Sequence, residues 1–275
     1  MIGWDGFIYF AVAAILASAS ASVLAFCGKR NGAICCAASS SLILLAFIVG
    51  FWITLGRPPM KTMGETRLWY SFFAGISGLF TYLRWRYKWI LSFSTVLSTV
   101  FILLNVFKPE IHVQTLMPAL QSPWFIPHVT VYMFSYSLLG CAFLLAVVQI
   151  GRLSRINRLC KSSVNNYNHG AGSVSDMFNA ADTLVYIGTA FLTLGMLSGA
   201  IWAKQAWGHY WSWDAKETWA AITWIVYLLY IHLRLLRKGG ERLWCFFLIF
   251  AFACLQMCWW GIKFLPSAQN SIHVY

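Results

Sequence analysis

Between two long apolar runs, residues 203–219 read Ala-Lys-Gln-Ala-Trp-Gly-His-Tyr-Trp-Ser-Trp-Asp-Ala-Lys-Glu-Thr-Trp. Trp207, Trp211, Trp213 and Trp219 share this segment with Tyr210, and Gly208, Asp214, Lys216 and Glu217 are interleaved with them. Flat, rigid indoles suit a flat aromatic ligand held by stacking. A few polar groups then fix its orientation. The alternative is an interfacial aromatic belt, where Trp and Tyr accumulate at a membrane surface. A belt accounts for one or two tryptophans better than for a dense, polar-interleaved cluster. Asp214 and Glu217 are three residues apart and share a face if the segment is helical. They read either as a general acid/base pair or as helix-start carboxylates favoured by the helix dipole.

Six histidines are the remaining candidates for chemistry: His112, His128, His169, His209, His232 and His273. A lone histidine is more often a packing residue than a ligand, so position decides. The eight cysteines contain no C-x-x-C spacing. Most stand in apolar stretches and read as small core residues, with neither a disulfide framework nor a metal site indicated. No G-x-x-x-x-G-K-S/T loop is present, which argues against an ATP-driven pump.

The elements that must position these residues are membrane crossings. The 275-residue chain is 60% hydrophobic and 10% charged. A soluble chain typically carries about 25% charged residues. The net charge of +12 gathers in short segments between apolar runs, which indicates membrane orientation and no nucleic-acid partner. The fold class expected is all-α, a polytopic integral membrane bundle forming one domain over 1–275. About eight crossings are expected, at 7–27, 33–55, 68–83, 89–107, 128–150, 181–203, 219–236 and 243–262, each near the roughly 20 apolar residues a bilayer requires. The third and seventh are short.

Lys and Arg split thirteen to seven between alternate sides. The richer side reads as cytoplasmic, which puts both termini outside. The Trp-rich segment 203–219 and the loop 108–127 are then external, and 151–180 is cytoplasmic. The Ser/Asn/Gly-rich centre of that last segment reads as a flexible linker. The N-terminus lacks a basic leader, so the first apolar run is expected to remain as a helix. On this topology His128 and His273 share the outer side with the Trp-rich segment. His232 lies about 20 Å along its helix from Trp219, at a depth where an ionisable residue is a functional candidate.

The run Trp207-Gly208-x-Tyr210-Trp211-Ser212-Trp213-Asp214-x-Lys216-Glu217-Thr218-Trp219 resembles the "WWD" signature of the haem-handling protein superfamily. Its Trp-Asp-x-Lys-Glu-Thr-Trp form resembles the CcsA-type (ResC-type) branch, the System II cytochrome c biogenesis proteins. Ile222-Thr223-Trp224 and Tyr230-Ile231-His232-x-Arg234 are similar to the same branch, as are Pro58 to Thr66 and Pro118 to Ser122. The resemblance covers most of 57–275. His209 departs from it, standing where relatives commonly carry a small residue.

The resemblance implies a haem-handling subunit of a membrane cytochrome c synthetase. Haem b, bound non-covalently as substrate, would be held at the outer face by Trp207, Gly208, Tyr210, Trp211, Trp213, Asp214 and Trp219. His128 and His273 would be its axial iron ligands, since haem iron takes two and His commonly supplies them. The resemblance also implies a second haem position at His232. No other histidine lies within a crossing, so its partner ligand would come from a CcsB-type (ResB-type) membrane subunit. The vinyl groups would be presented to the C-x-x-C-H thiols of apocytochrome c, which a thiol-reducing partner keeps reduced. Lys204, Lys216, Arg57, Lys61 and Arg67 are candidates for the haem propionates.

The location implied is a bacterial-type cytoplasmic membrane, or a thylakoid membrane if the protein is plastid. The alternatives are a CcmC-like haem chaperone, a cytochrome b-like electron carrier, which would bury histidine pairs on helices, and a secondary transporter, which would show repeats and broken helices.

Overall fold

The structure is a computed structural model that describes residues 3–112, 122–160, 168–259 and 261–265, with the backbone alone over 156–160 and 168–175 and at 263. Eight long helices account for nearly all of it: α1 (Phe7–Phe26), α2 (Arg30–Leu55), α3 (Met63–Trp85), α4 (Lys88–Phe107), α5 (Phe125–Cys160), α6 (Asn168–Trp207), α7 (Ala215–Leu235) and α8 (Glu241–Trp259). Among the described residues there is no strand. Seven of the helices are long and apolar enough to cross a membrane. The chain is a polytopic helical membrane protein, as the apolar runs predict. An apolar segment in a bilayer must satisfy its backbone internally, and a helix does so within itself.

The eighth helix, α3, is long enough but less apolar than the others, and it carries Glu65 and Arg67 near its start and Arg84 near its end. It starts five residues before the expected Leu68 because Thr62 and Glu65 form a capping box. The Thr62 hydroxyl accepts from the Glu65 N–H at 3.2 Å, and Glu65 Oε2 accepts from the Thr62 N–H at 3.3 Å. Each satisfies a backbone donor that a helix start leaves unpaired.

Two compact units divide the chain, Met1–Ser137 and Leu138–Tyr275. In the first, α1 packs on α2 and α4, and α3 packs on α2 and α4. Aromatic rings fill one end, where Phe47 lies 4.8 Å from Phe7 and 5.6 Å from Phe51 between ring centroids. The seams between helices carry serine: Ser40 Oγ donates to the Ala14 carbonyl at 2.8 Å, and Ser98 Oγ to the Ser71 carbonyl at 2.8 Å. Where apolar contact gives little preference over lipid, small residues and interhelical hydrogen bonds hold helices together. A Cβ on Gly78 would stand 2.3 Å from that of Ser94, so α3 and α4 need glycine there.

In the second unit α7 packs on both α6 and α8. The Trp224 indole N–H donates to Thr193 Oγ1 at 2.9 Å across the α6–α7 seam. Phe143 and Phe252 stack at 4.4 Å.

The expected linker 151–180 is helical at both ends, because α5 continues to Cys160 and α6 begins at Asn168. A helix nucleated in an apolar run propagates into polar sequence with one further bond per residue fixed. Four of the described cysteines, Cys141, Cys245, Cys254 and Cys258, are buried as expected of core residues. Cys27 and Cys35, flanking the α1–α2 turn, are exposed.

Candidate functional site: a tryptophan-rich turn and the histidines

The Trp-rich segment folds as the connection between α6 and α7. Trp207 closes α6, and Gly208, at φ +86°, takes the left-handed conformation that turns the chain out of it. Lys204 Nζ donates to the Gly208 carbonyl at 2.7 Å and stands 5.5 Å from the Tyr210 ring centre. It caps the end of α6, where a cation is favoured.

The two acidic residues of the segment are structural. Asp214 is the N-cap of α7, and its Oδ1 accepts from the Glu217 N–H at 2.8 Å. Glu217, 8% exposed, reaches back into the turn. Its Oε2 accepts from the Ser212 N–H at 2.7 Å and from the Ser212 hydroxyl at 3.1 Å. Thr218 Oγ1 donates to the Trp213 carbonyl at 3.1 Å. Of the two readings open in the sequence, helix-start carboxylates and an acid/base pair, the geometry supports the first.

Pinned in this way, the turn leaves two of its rings exposed. Tyr210 is 60% exposed and Trp213 is 70% exposed. Trp213 sits at φ +59°, a region bulky residues rarely adopt. Such outliers cluster where function sets the geometry. Trp211 packs edge-on to Trp213 at 5.7 Å, and Trp207 against the buried Trp202 at 4.7 Å. The Trp211 indole N–H is buried and meets no acceptor among the described residues. Trp219 is partly buried in the first turns of α7, and His209 is exposed beside Tyr210. Trp207, Gly208, Tyr210, Trp211, Trp213, Asp214 and Trp219 are thus brought together in one turn.

The histidines fall elsewhere. His128 lies in the first turn of α5, in the first unit, with its ring 4.6 Å from that of Tyr132. His232 lies in the last turn of α7, at the opposite end of that helix from the Trp-rich turn. It is exposed, and its Nδ1 is 2.8 Å from the Leu228 carbonyl. A ring nitrogen facing a carbonyl is the donor of that bond, which leaves Nε2 as the nitrogen turned away from the helix backbone. His273 lies outside the described residues, as do Pro118 to Gln121.

His112, in the external loop by sequence, closes a 3₁₀ turn over Pro109–His112. It stacks face to face on Trp4 at 3.8 Å. Burial holds its pKa below the ordinary value of 6.5, against the opposing pull of the Asn105 carbonyl and Glu110.

Of the basic residues proposed for propionates, Arg57 is already taken. Its Nη1 and Nη2 donate to the two oxygens of Glu65 at 3.0 and 2.9 Å, with the carboxylate almost wholly buried. Sequence reasoning did not find this pair, although Glu65 eight residues after Arg57 was visible. Lys61 and Arg67 have no carboxylate partner among the described residues.

An all-helical polytopic membrane protein with an aromatic turn that exposes ring faces, and an outward histidine on a crossing, is the class these features define. A family profile described as "Cytochrome C assembly protein" matches residues 6–268. Proteins named cytochrome c biogenesis protein CcsA are similar over nearly the whole chain. That of Trachelium caeruleum is 31% identical over 265 residues, 84% of this chain and 82% of the relative. Those of Lactuca sativa and Cyanophora paradoxa are 30% and 28% identical, covering 84% and 85% of this chain and 82% and 84% of their own lengths. Among solved structures, a cytochrome c heme lyase CcmF superposes with a TM-score of 0.62 at 17% identity, over 93% of this chain and 46% of that one, which speaks for the fold alone. The chain belongs to the cytochrome c assembly protein family, in its CcsA-type branch, and its role lies in cytochrome c maturation.

Proposed function

We propose that this chain is the haem-handling subunit of a membrane cytochrome c synthetase, of the System II type, and that the Trp-rich turn holds haem b as substrate at the outer face. The observation that carries this reading is the pinned turn. Its carboxylates are occupied by backbone and hydroxyl donors, while Trp213 and Tyr210 present ring faces outward. A flat macrocycle stacks on such faces. The buried Trp211 N–H suits a carboxylate such as a propionate. Lys61, Arg67 and Lys216 are the remaining basic candidates. His128 and His273 would ligate the iron.

In this reading the chain positions and does not attack. Each thiol of an apocytochrome C-x-x-C-H motif adds across a haem vinyl group, sulfur to one carbon and hydrogen to the other. The substrate's own histidine then replaces one external histidine on the iron. Positioning and iron ligation are the protein's contribution. A thiol reductant keeps the cysteines competent.

His232 supports the second haem position and the CcsB-type partner. Ile225, Leu229, His232 and Leu236 are all exposed, at spacings that form one stripe of α7. An ionisable side chain facing lipid is rare, and such residues normally face protein or a cavity. A partner crossing over this stripe, with haem between, resolves that. The membrane is a bacterial cytoplasmic membrane or a thylakoid membrane, with the Trp-rich turn on the side where cytochromes c mature.

The test is purification of the chain with its CcsB-type partner. Low-spin Soret and alpha bands are expected, weakened by His128→Ala and by His273→Ala, with loss of cytochrome c maturation in both. A haem-free preparation, or two variants that keep both the spectrum and maturation, overturns the reading.

A further inference from the structure

Tyr230, His232 and Arg234 alternate around α7. At about 100° per residue, His232 points roughly 200° round the axis from either neighbour. The exposures follow that alternation: Tyr230 is wholly buried, His232 is exposed, and the Arg234 side chain is only 14% exposed. Both inward residues converge on one carboxylate of α6. The Tyr230 hydroxyl donates to Asp182 Oδ1 at 2.6 Å. Arg234 Nε donates to Asp182 Oδ1 and Oδ2 at 2.8 and 2.9 Å, and Nη2 also donates to Oδ2. The guanidinium carbon lies 4.3 Å from the Trp244 ring centre on α8 and 5.0 Å from that of Phe178 on α6. One arginine therefore ties three helices at the end of α7 that carries His232.

Such a pair is a poor source of net stability. Well-packed apolar residues do as well or better, because taking both charges out of water is costly. Its geometry is demanding, however. A planar fork matched to a carboxylate and packed against two rings tolerates few rotations of α7. We infer that the Asp182–Arg234–Tyr230 cluster is a positioning device, which sets the rotation of α7 so that the Nε2 of His232 faces outward toward iron. The inference rests on the reading that His232 ligates haem. A side-chain tip lies about 6 Å from the helix axis, so a rotation of about 15° displaces it by roughly 1.5 Å, against a tolerance of about 0.5 Å for a ligating group. The bond from Nδ1 to the Leu228 carbonyl fixes the ring on α7. The cluster fixes α7 on its neighbours.

The experiment uses the chain co-purified with its partner, and the His232-dependent haem is the low-spin signal lost in His232→Ala. Arg234→Lys keeps the charge and loses the fork. Asp182→Asn keeps the shape and loses the pair. Each is expected to lower the His232-dependent signal about tenfold or more, the scale of lost outer-shell support, with the chain still present in the membrane. Added imidazole is expected to restore low-spin bands, since a free ligand can take the place of a misdirected ring. The exchange Asp182→Arg with Arg234→Asp is expected to recover part of the signal without imidazole.

If Arg234→Lys and Asp182→Asn keep the full signal while His232→Ala abolishes it, the positioning role is wrong and the ligand assignment stands. If both variants vanish from the membrane, or if imidazole restores nothing, the cluster is a folding element and the inference is overturned. If His232→Ala leaves the spectrum intact, the underlying reading fails instead.

Discussion

Trp213 offers a comparison in which backbone strain and ring loss separate. Its φ of +59° places a bulky side chain in the left-handed region. For a residue with a Cβ this costs roughly 1–2 kcal/mol. Replacing Trp213 with Ala removes the ring and keeps that penalty. Replacing it with Gly removes both, but adds unfolded-state entropy of about 0.5–1 kcal/mol. The lost ring contacts cancel in the comparison, because both variants lack the ring. Trp213→Gly is therefore expected to be more stable than Trp213→Ala by about 0.5–1 kcal/mol. The expected difference in melting is about 2 °C in the same detergent. At most positions the order is the reverse, since Gly is ordinarily the destabilising choice. A Gly variant melting below the Ala variant refutes the strained-turn argument. The same two proteins test the ring itself. A stacking contact worth about 1 kcal/mol implies haem retention reduced roughly fivefold in both, and unchanged haem content in both removes Trp213 from the platform.

Two further expectations follow from the described contacts. Glu217→Ala leaves the Ser212 N–H without its acceptor and is expected to destabilise the turn by about 1–3 kcal/mol; Glu217→Gln, which can still accept, falls between it and the wild type in proteolysis at residues 208–214, and equal resistance in all three contradicts the pinning. His112 sheds its proton more readily in the folded chain than at its ordinary 6.5, so above both values pH has no effect through it, and below about 6.5 the unfolded chain protonates first and stability falls. In His112→Phe, which keeps a ring for Trp4, the loss of thermal stability between pH 8 and pH 5.5 is expected to shrink relative to the wild type.

The helices were legible because each apolar run announces itself by length. What the runs concealed was their ends. The start of α3 at Met63 depends on Thr62, Glu65 and Arg57 acting together. The continuation of α5 and α6 into polar sequence has no apolar period to report it. The aromatic turn was legible as a cluster of residue types, but the duty of its acids was not: Glu217 reaches five residues back to Ser212, and no composition encodes that direction. The left-handed backbone at Trp213 leaves no trace in residue type, unlike that at Gly208. The pairing of Asp182 with Arg234, on separate helices and 52 residues apart, is a tertiary fact. His232 was marked by its type in an apolar run. Its outward face and the bond that Nδ1 makes to Leu228 became visible only with α7 packed on α6 and α8.

One helix, α7, begins in the cap of the aromatic turn and carries His232 in its last turn, with no proline, glycine or other break between them. Such a rod has few internal degrees of freedom with which to absorb a displacement at either end. Whatever small rotation the Asp182–Arg234 pair permits at the Trp219 end would reach the imidazole about 20 Å away. Were haem held at both proposed positions, linkage would impose a symmetry on them: whatever factor occupancy of the inner end applied to affinity at the outer end, occupancy of the outer end would apply in return.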